Sequence, residues 1–164
     1  MDKQKIFNKV AKHLLTQNAK SQQSRKGPFA DSAMCLYRNG TRACAIGCLI
    51  PDELYHKQFE NNSIYAILTQ PEYISGDGGP LPFKSTACKK AKAFRKLLEF
   101  RNIGRNMKFL QTLQKVHDDT EVVAWPVHLE EVAIMYHLKI PKFLADRAAK
   151  VDTTWTTAQR NTDN

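Results

Sequence analysis

Four cysteines, a His-Asp-Asp run and one dense block of cations are the residues of this chain whose types could do chemistry. A thiol nucleophile needs a base to take its proton and a third group to orient that base. Cys44 or Cys48 would attack, His117 would be the base, and Asp118 or Asp119 would hold the imidazole. Three cysteines (Cys35, Cys44 and Cys48) compete for that one role. His117 also falls on the apolar stripe of its predicted helix, where a core histidine or a helix-end histidine fits the same spacing. Zinc asks for four converging ligands, usually as two close pairs. Cys35, Cys44, Cys48 and His56 supply the types, but no Cys-x-x-Cys occurs, so we read core thiols, no metal and no cofactor. Asp52-Glu53 and Asp118-Asp119 read as helix-end acids, since adjacent acids point apart. Gly76-Asp77-Gly78-Gly79 lacks the Gly-Lys-Ser/Thr ending of a phosphate loop.

The cations give a sharper signal. Nine basic residues and one acid, Glu99, lie between Lys84 and Lys108, so this segment carries +8 of the chain's formal +9. Charge of one sign held in one segment repels itself unless a partner neutralises it. Phosphate is the commonest such partner, because each contact releases condensed counterions. At 100° per residue, Lys89, Lys92 and Lys96 share one helix face, with Arg95, Arg101 and Arg105 extending the basic surface. Few aromatic residues accompany them, which favours backbone contact over base stacking. The expectation is a small basic protein that engages nucleic acid or a nucleic-acid complex through the 84–108 surface, mainly by phosphate contacts. One alternative is an inhibitor that docks an acidic host protein. A further alternative is a Cys/His-dependent enzyme built around a hairpin, although the reading leans away from an enzyme.

Local patterns predict the elements that must position these groups. Residues 3–17 read as an amphipathic helix with Ile6, Phe7, Val10 and Leu14 inward. Residues 18–32 read as a polar connector. Asn39-Gly40 between two apolar runs predicts a hairpin with a type I′ turn. Its register would set Arg38 opposite Thr41 and Cys35 opposite Cys44. Pro51 ends the strand, and residues 52–59 read as a helix with acids in its first turn. Ser63 is a candidate N-cap for a short helix to residue 70. An irregular segment runs from Pro71 to Phe83. A helix over 85–100 buries Ala87, Ala91, Phe94, Leu97 and Leu98, and Gly104 breaks the run. A helix over 105–117 aligns Met107, Leu110, Leu113 and His117. Trp125-Pro126 reads as a break, followed by a helix over 128–138 and a short helical turn over 141–149.

The fold class is therefore α+β and mostly helical, with about five helices packed around one small antiparallel hairpin or sheet. Residues 1–150 read as a single domain and 151–164 as a flexible tail. Forty-two per cent apolar and 25 per cent charged residues are ordinary for a globular chain. No apolar run of about 18 residues exists, so no membrane span is expected. The N-terminal residues do not read as a secretory signal, and four free cysteines suit a reducing compartment, so a cytoplasmic location is expected.

The string Cys35-x-Tyr37-Arg38, followed by Cys44-Ala45-Ile46-Gly47-Cys48-Leu49-Ile50-Pro51-Asp52-Glu53-x-Tyr55, resembles a group of small uncharacterised proteins of bacteriophages and prophages. Those proteins also show an N-terminal amphipathic helix and a Leu-Gln-x-x-His-Asp stretch, matched here by Leu113-Gln114-Lys115-Val116-His117-Asp118. The resemblance covers about residues 5–138. It implies a phage or prophage origin, action inside the host cell's cytoplasm and a shared fold. It supplies no catalytic residues.

Overall fold

A computed structural model describes residues 1–24, 33–60, 62–70, 75–76, 79–80, 86–99 and 103–151 of the chain. Six α-helices are present among them: α1 (Lys3–Gln17), α2 (Ile64–Thr69), α3 (Thr86–Leu98), α4 (Ile103–Asp119), α5 (Trp125–Met135) and α6 (142–151). The strands are short and form three separate antiparallel pairs. β1 (Gln22–Ser24) pairs with β2 (Ala33–Cys35), β3 (Arg38–Asn39) with β4 (Arg42–Ala43), and β5 (Ser75–Gly76) with β6 (Gly79–Pro80). The fold is thus mostly helical α+β, and among the described residues the strands form three separate pairs where one small hairpin or sheet was expected.

Local chemistry explains the helix ends. The Asp2 side chain accepts the Lys5 N–H at 2.8 Å and opens α1, which closes at Asn18 in the left-handed region. The Ser63 hydroxyl accepts the Ala66 N–H at 3.1 Å and opens α2. Pro126 sits in the first turn of α5, where a missing N–H costs nothing, so Trp125-Pro126 starts a helix and does not break one. Gly104 lies inside α4, and the chain turns earlier, at Glu99 with φ 51°. Residues 52–59 form two single 3₁₀ turns, Asp52–Leu54 and Lys57–Phe59, where one helix was expected.

One hydrophobic core draws from Ile6 to Leu144, with Trp125, Phe7, Phe59, Phe94 and Phe109 its largest fully buried side chains. α1 packs on α4 and α5, and α2 packs on α3 and α4. Within α3, Ala87, Ala91, Phe94 and Leu98 are buried, but Leu97 is 38% exposed and does not share their face. Apart from Val151, which ends α6, the expected tail lies outside the described residues, as does most of the Pro71–Phe83 segment. Among the described residues, no helix is long and apolar enough to cross a membrane.

Candidate functional site

The hairpin carries the first half of the site. Asn39 pairs with Arg42 and Arg38 with Ala43, so the turn residues are Gly40 and Thr41, one position later than expected. Gly40 has φ +60° and Asn39 has none of the positive φ that a type I′ turn asks of it. Positive φ at the first central residue alone is the requirement of a type II′ turn. This shift moves Cys44 opposite Tyr37, whose carbonyl accepts the Cys44 N–H at 3.1 Å. Cys35 pairs instead with Gln22 across β1–β2, which corrects the expected Cys35–Cys44 pairing.

The motif around this hairpin is a set of mutual contacts. The Glu60 carboxylate accepts the backbone N–H groups of Tyr37 and Arg38, at 2.8 and 3.0 Å, and the Tyr55 hydroxyl at 2.8 Å. The Arg38 guanidinium bonds Asp52 at 2.5 Å and the Ile50 carbonyl, and lies 4.7 Å from the centre of the Tyr55 ring. Asp52 therefore has a cation partner within the fold, and no metal ion is needed to explain it.

α4 carries the second half. His117 is fully buried and stacks on Trp125, with ring centres 5.6 Å apart. Its Nε2 accepts the Ser21 N–H at 2.9 Å, so in the neutral ring the proton sits on Nδ1 and is donated to Asp118 at 2.7 Å. Gln114, one turn earlier, donates its amide to both carboxylate oxygens of Asp118, at 2.9 and 2.7 Å. The Cys35 thiol is bonded to the same carboxylate. Burial alone would raise the Asp118 carboxyl, but the bonds from His117, Gln114 and Cys35 outweigh it and hold the group below its ordinary value. For Cys35, burial and then the charge and hydrogen bond of Asp118 push the thiol up to about 12.

Cys35, Gln114 and Asp118 line an open cavity of about 560 Å³, together with Tyr37, Glu60 and Lys115. The cysteine beside His117 and Asp118 is thus Cys35, and not Cys44 or Cys48. The Cys44 thiol donates to Gln114 Oε1 at 3.3 Å, and the Cys48 thiol to the Ala45 carbonyl at 3.2 Å. Burial raises each of these two thiols to about 12 as well. An attacking thiolate needs the opposite shift. His117 points one nitrogen at Ser21 and the other at Asp118, so neither is left to take a proton from sulfur.

The same geometry decides the metal question. Among the described residues, the donor atoms of Cys35, His117 and Asp118 come within 4.8 Å of one another. A metal on Nδ1 would drive the proton to Nε2, against the Ser21 N–H, and two donors would then face each other. His56, the other imidazole considered as a ligand, accepts the Gln58 N–H at 3.2 Å through Nδ1. The cluster fits a closed hydrogen-bond network and not a metal centre. Sequence reasoning named His117, Asp118, Cys44 and Cys35, but it set Cys35 opposite Cys44 and not beside Asp118, and it gave Gln114 and Ser21 no role. Gln114 had a signal, because it stands one helical turn before Asp118. Ser21 contributes only its backbone, which no residue type announces.

The basic surface sits elsewhere, on α3. Lys89, Lys92, Arg95 and Lys96 are all exposed, while the Lys90 ammonium bonds the Tyr55 carbonyl at 2.8 Å. The α3 sequence holds five cations and no acid in 13 residues. Arg101 and Arg105 fall where side chains lie outside the described residues. The chain matches no protein-family model, no curated protein and no solved structure.

Proposed function

We propose that this protein binds the phosphate backbone of nucleic acid through the exposed face of α3, without reading base sequence, as a small phage-type protein acting in the cytoplasm of its host. The observation that carries the reading is the exposure of Lys89, Lys92, Arg95 and Lys96 on a helix with no carboxylate of its own. A helix built only for solubility interleaves acids at i,i+4, and this one does not. Phe94 is buried, so the face offers ammonium and guanidinium groups and no stacking ring.

The test is a salt titration of wild type and of Lys89→Glu/Lys92→Glu/Lys96→Glu against duplex and single-stranded oligonucleotides. Affinity should fall with a log–log slope of about −0.9 per phosphate contact on duplex DNA. The triple variant should bind weakly to every sequence and melt like the wild type. No binding of wild type at about 50 mM salt removes the proposal.

A second reading, an acidic protein partner, is favoured by one observation. Leu97 is partly exposed beside Lys96, and an apolar side chain has use against a protein surface but none against phosphate.

A further inference from the structure

The charge of this chain is two-sided. From Val116 to Leu138 there are five acids and no Lys or Arg, the opposite of the 84–108 segment. The acidic stretch also holds the three most exposed large apolar side chains among the described residues: Ile134 at 64%, Met135 at 62% and Val123 at 60%. The α5 spacing explains this. Trp125, Leu129, Val132 and Ala133 take the inward face, which leaves Ile134, Glu131 and Met135 pointing to water. Between α4 and α5 lies a groove of about 250 Å³. Val116, Val132 and Met135 give it an apolar lining, Asp119 and Glu131 give it negative charge, and Lys115 is the one cation of the lining.

An exposed apolar surface of this kind marks a docking site when something matches it. The match is on the same chain. α3 presents Lys89, Lys92 and Lys96 with the half-exposed Leu97, and the groove presents acids around apolar side chains. We infer that the α4–α5 face of one copy docks the α3 face of a second copy. The two faces differ, so the contact is head-to-tail: an open assembly keeps one free face of each kind at its ends, and a ring keeps none. Opposite charges steer the encounter and the apolar side chains at its centre hold it. The inference does not rest on nucleic-acid binding, although polyanions would compete for the same lysines.

The experiment is sedimentation of the full chain at about 50 mM and about 500 mM salt over a wide concentration range. Wild type should grow in mass with concentration at low salt and return to monomer at high salt. Asp119→Lys/Glu131→Lys should be monomeric, as should Lys92→Glu/Lys96→Glu. Mixed together, these two variants keep one intact face each, and their two reversed faces are also opposite in charge, so they should associate at low salt although neither does so alone. The milder Ile134→Ser/Met135→Ser variant, which leaves every charge in place, should lose at least tenfold in association constant. A monomeric wild type at low salt overturns the inference, as does association indifferent to salt, or failure of the two folded charge variants to pair. Oligonucleotide binding by Ile134→Ser/Met135→Ser, which leaves every charge in place, reports separately on the α3 face, so loss of either reading is told from loss of the other.

Discussion

The buried ring of His117 accepts the backbone N–H of Ser21 at 2.9 Å and thereby ties α4 to the start of the β1–β2 ribbon. Ser21 passes the tie on, because its carbonyl accepts the Leu36 N–H at 2.8 Å. His117→Phe would keep the stacking on Trp125 but orphan the Ser21 N–H and take from the Asp118 carboxylate one of its donors. The expected loss is about 2–4 kcal/mol in urea unfolding, as for buried polar groups left without partners. A loss below about 0.5 kcal/mol would show that the network contributes little.

Asp118 makes stability depend on acid. Its carboxyl is held below the ordinary 3.8 in the fold, so the charged form is the one the fold prefers. That stabilisation is complete above the unfolded value and is lost as pH falls through the folded one. Asp118→Asn should flatten the acid limb of a stability-against-pH curve. An unchanged limb would place the acid sensitivity elsewhere.

The thiols act at the other end of the scale. Cys35, Cys44 and Cys48 are raised from 9.0 to about 12, so the fold prefers the neutral thiol. Their contribution is intact below 9.0 and is lost as pH rises toward about 12. Iodoacetamide should therefore label native protein slowly at pH 8, read by mass spectrometry. Asp118→Asn should speed labelling at Cys35 while leaving Cys48 unchanged, because Asp118 is a raising influence on Cys35 but not on Cys48. Rapid labelling of any of the three in wild type would revive the nucleophile reading.

Gly47 faces a steric limit. A Cβ there would sit 1.8 Å from the Tyr37 carbonyl oxygen, and that oxygen is fixed by the Cys44 N–H. Gly47→Ala should cost about 3 kcal/mol or more, at the upper end of overpacking losses. A melting temperature near that of wild type would mean the hairpin can shift to make room.

The two large apolar residues of α3 should separate cleanly. Phe94 is fully buried and Leu97 is 38% exposed. Phe94→Ala should cost about 3–5 kcal/mol, and Leu97→Ala about 0.5 kcal/mol. Equal losses would contradict the helical phase on which the basic face depends.

Much of the helical frame was legible, because apolar side chains at 3.6-residue spacing report which face turns inward. α1 runs over Lys3–Gln17 as its pattern demands, and Ser63 caps α2 as its residue type suggests. The failures have local physical causes. Asn-Gly favours a two-residue turn, but Glu60 and Tyr55, far along the chain, hold the strand at Tyr37 and Arg38 and help fix another register. Leu97 was misplaced because it sits at the border of the α3 stripe, where Phe94 and Leu98 take the core and Leu97 turns partly to water. The Cys35–Asp118 bond was not legible at all, since it depends on that register and on where α4 crosses the ribbon.

The side chains around β3–β4 have one more consequence. A two-residue strand leaves outward N–H and C=O groups that a strand from another molecule could use. Here Glu60 takes the N–H groups of Tyr37 and Arg38 on one flank. On the other, the Gln17 amide accepts the Ala43 N–H at 2.8 Å and donates to its carbonyl at 3.0 Å. Two side chains thus imitate the neighbouring strands the hairpin lacks. This hairpin is closed at both edges against edge-to-edge aggregation, the hazard that short open sheets otherwise carry.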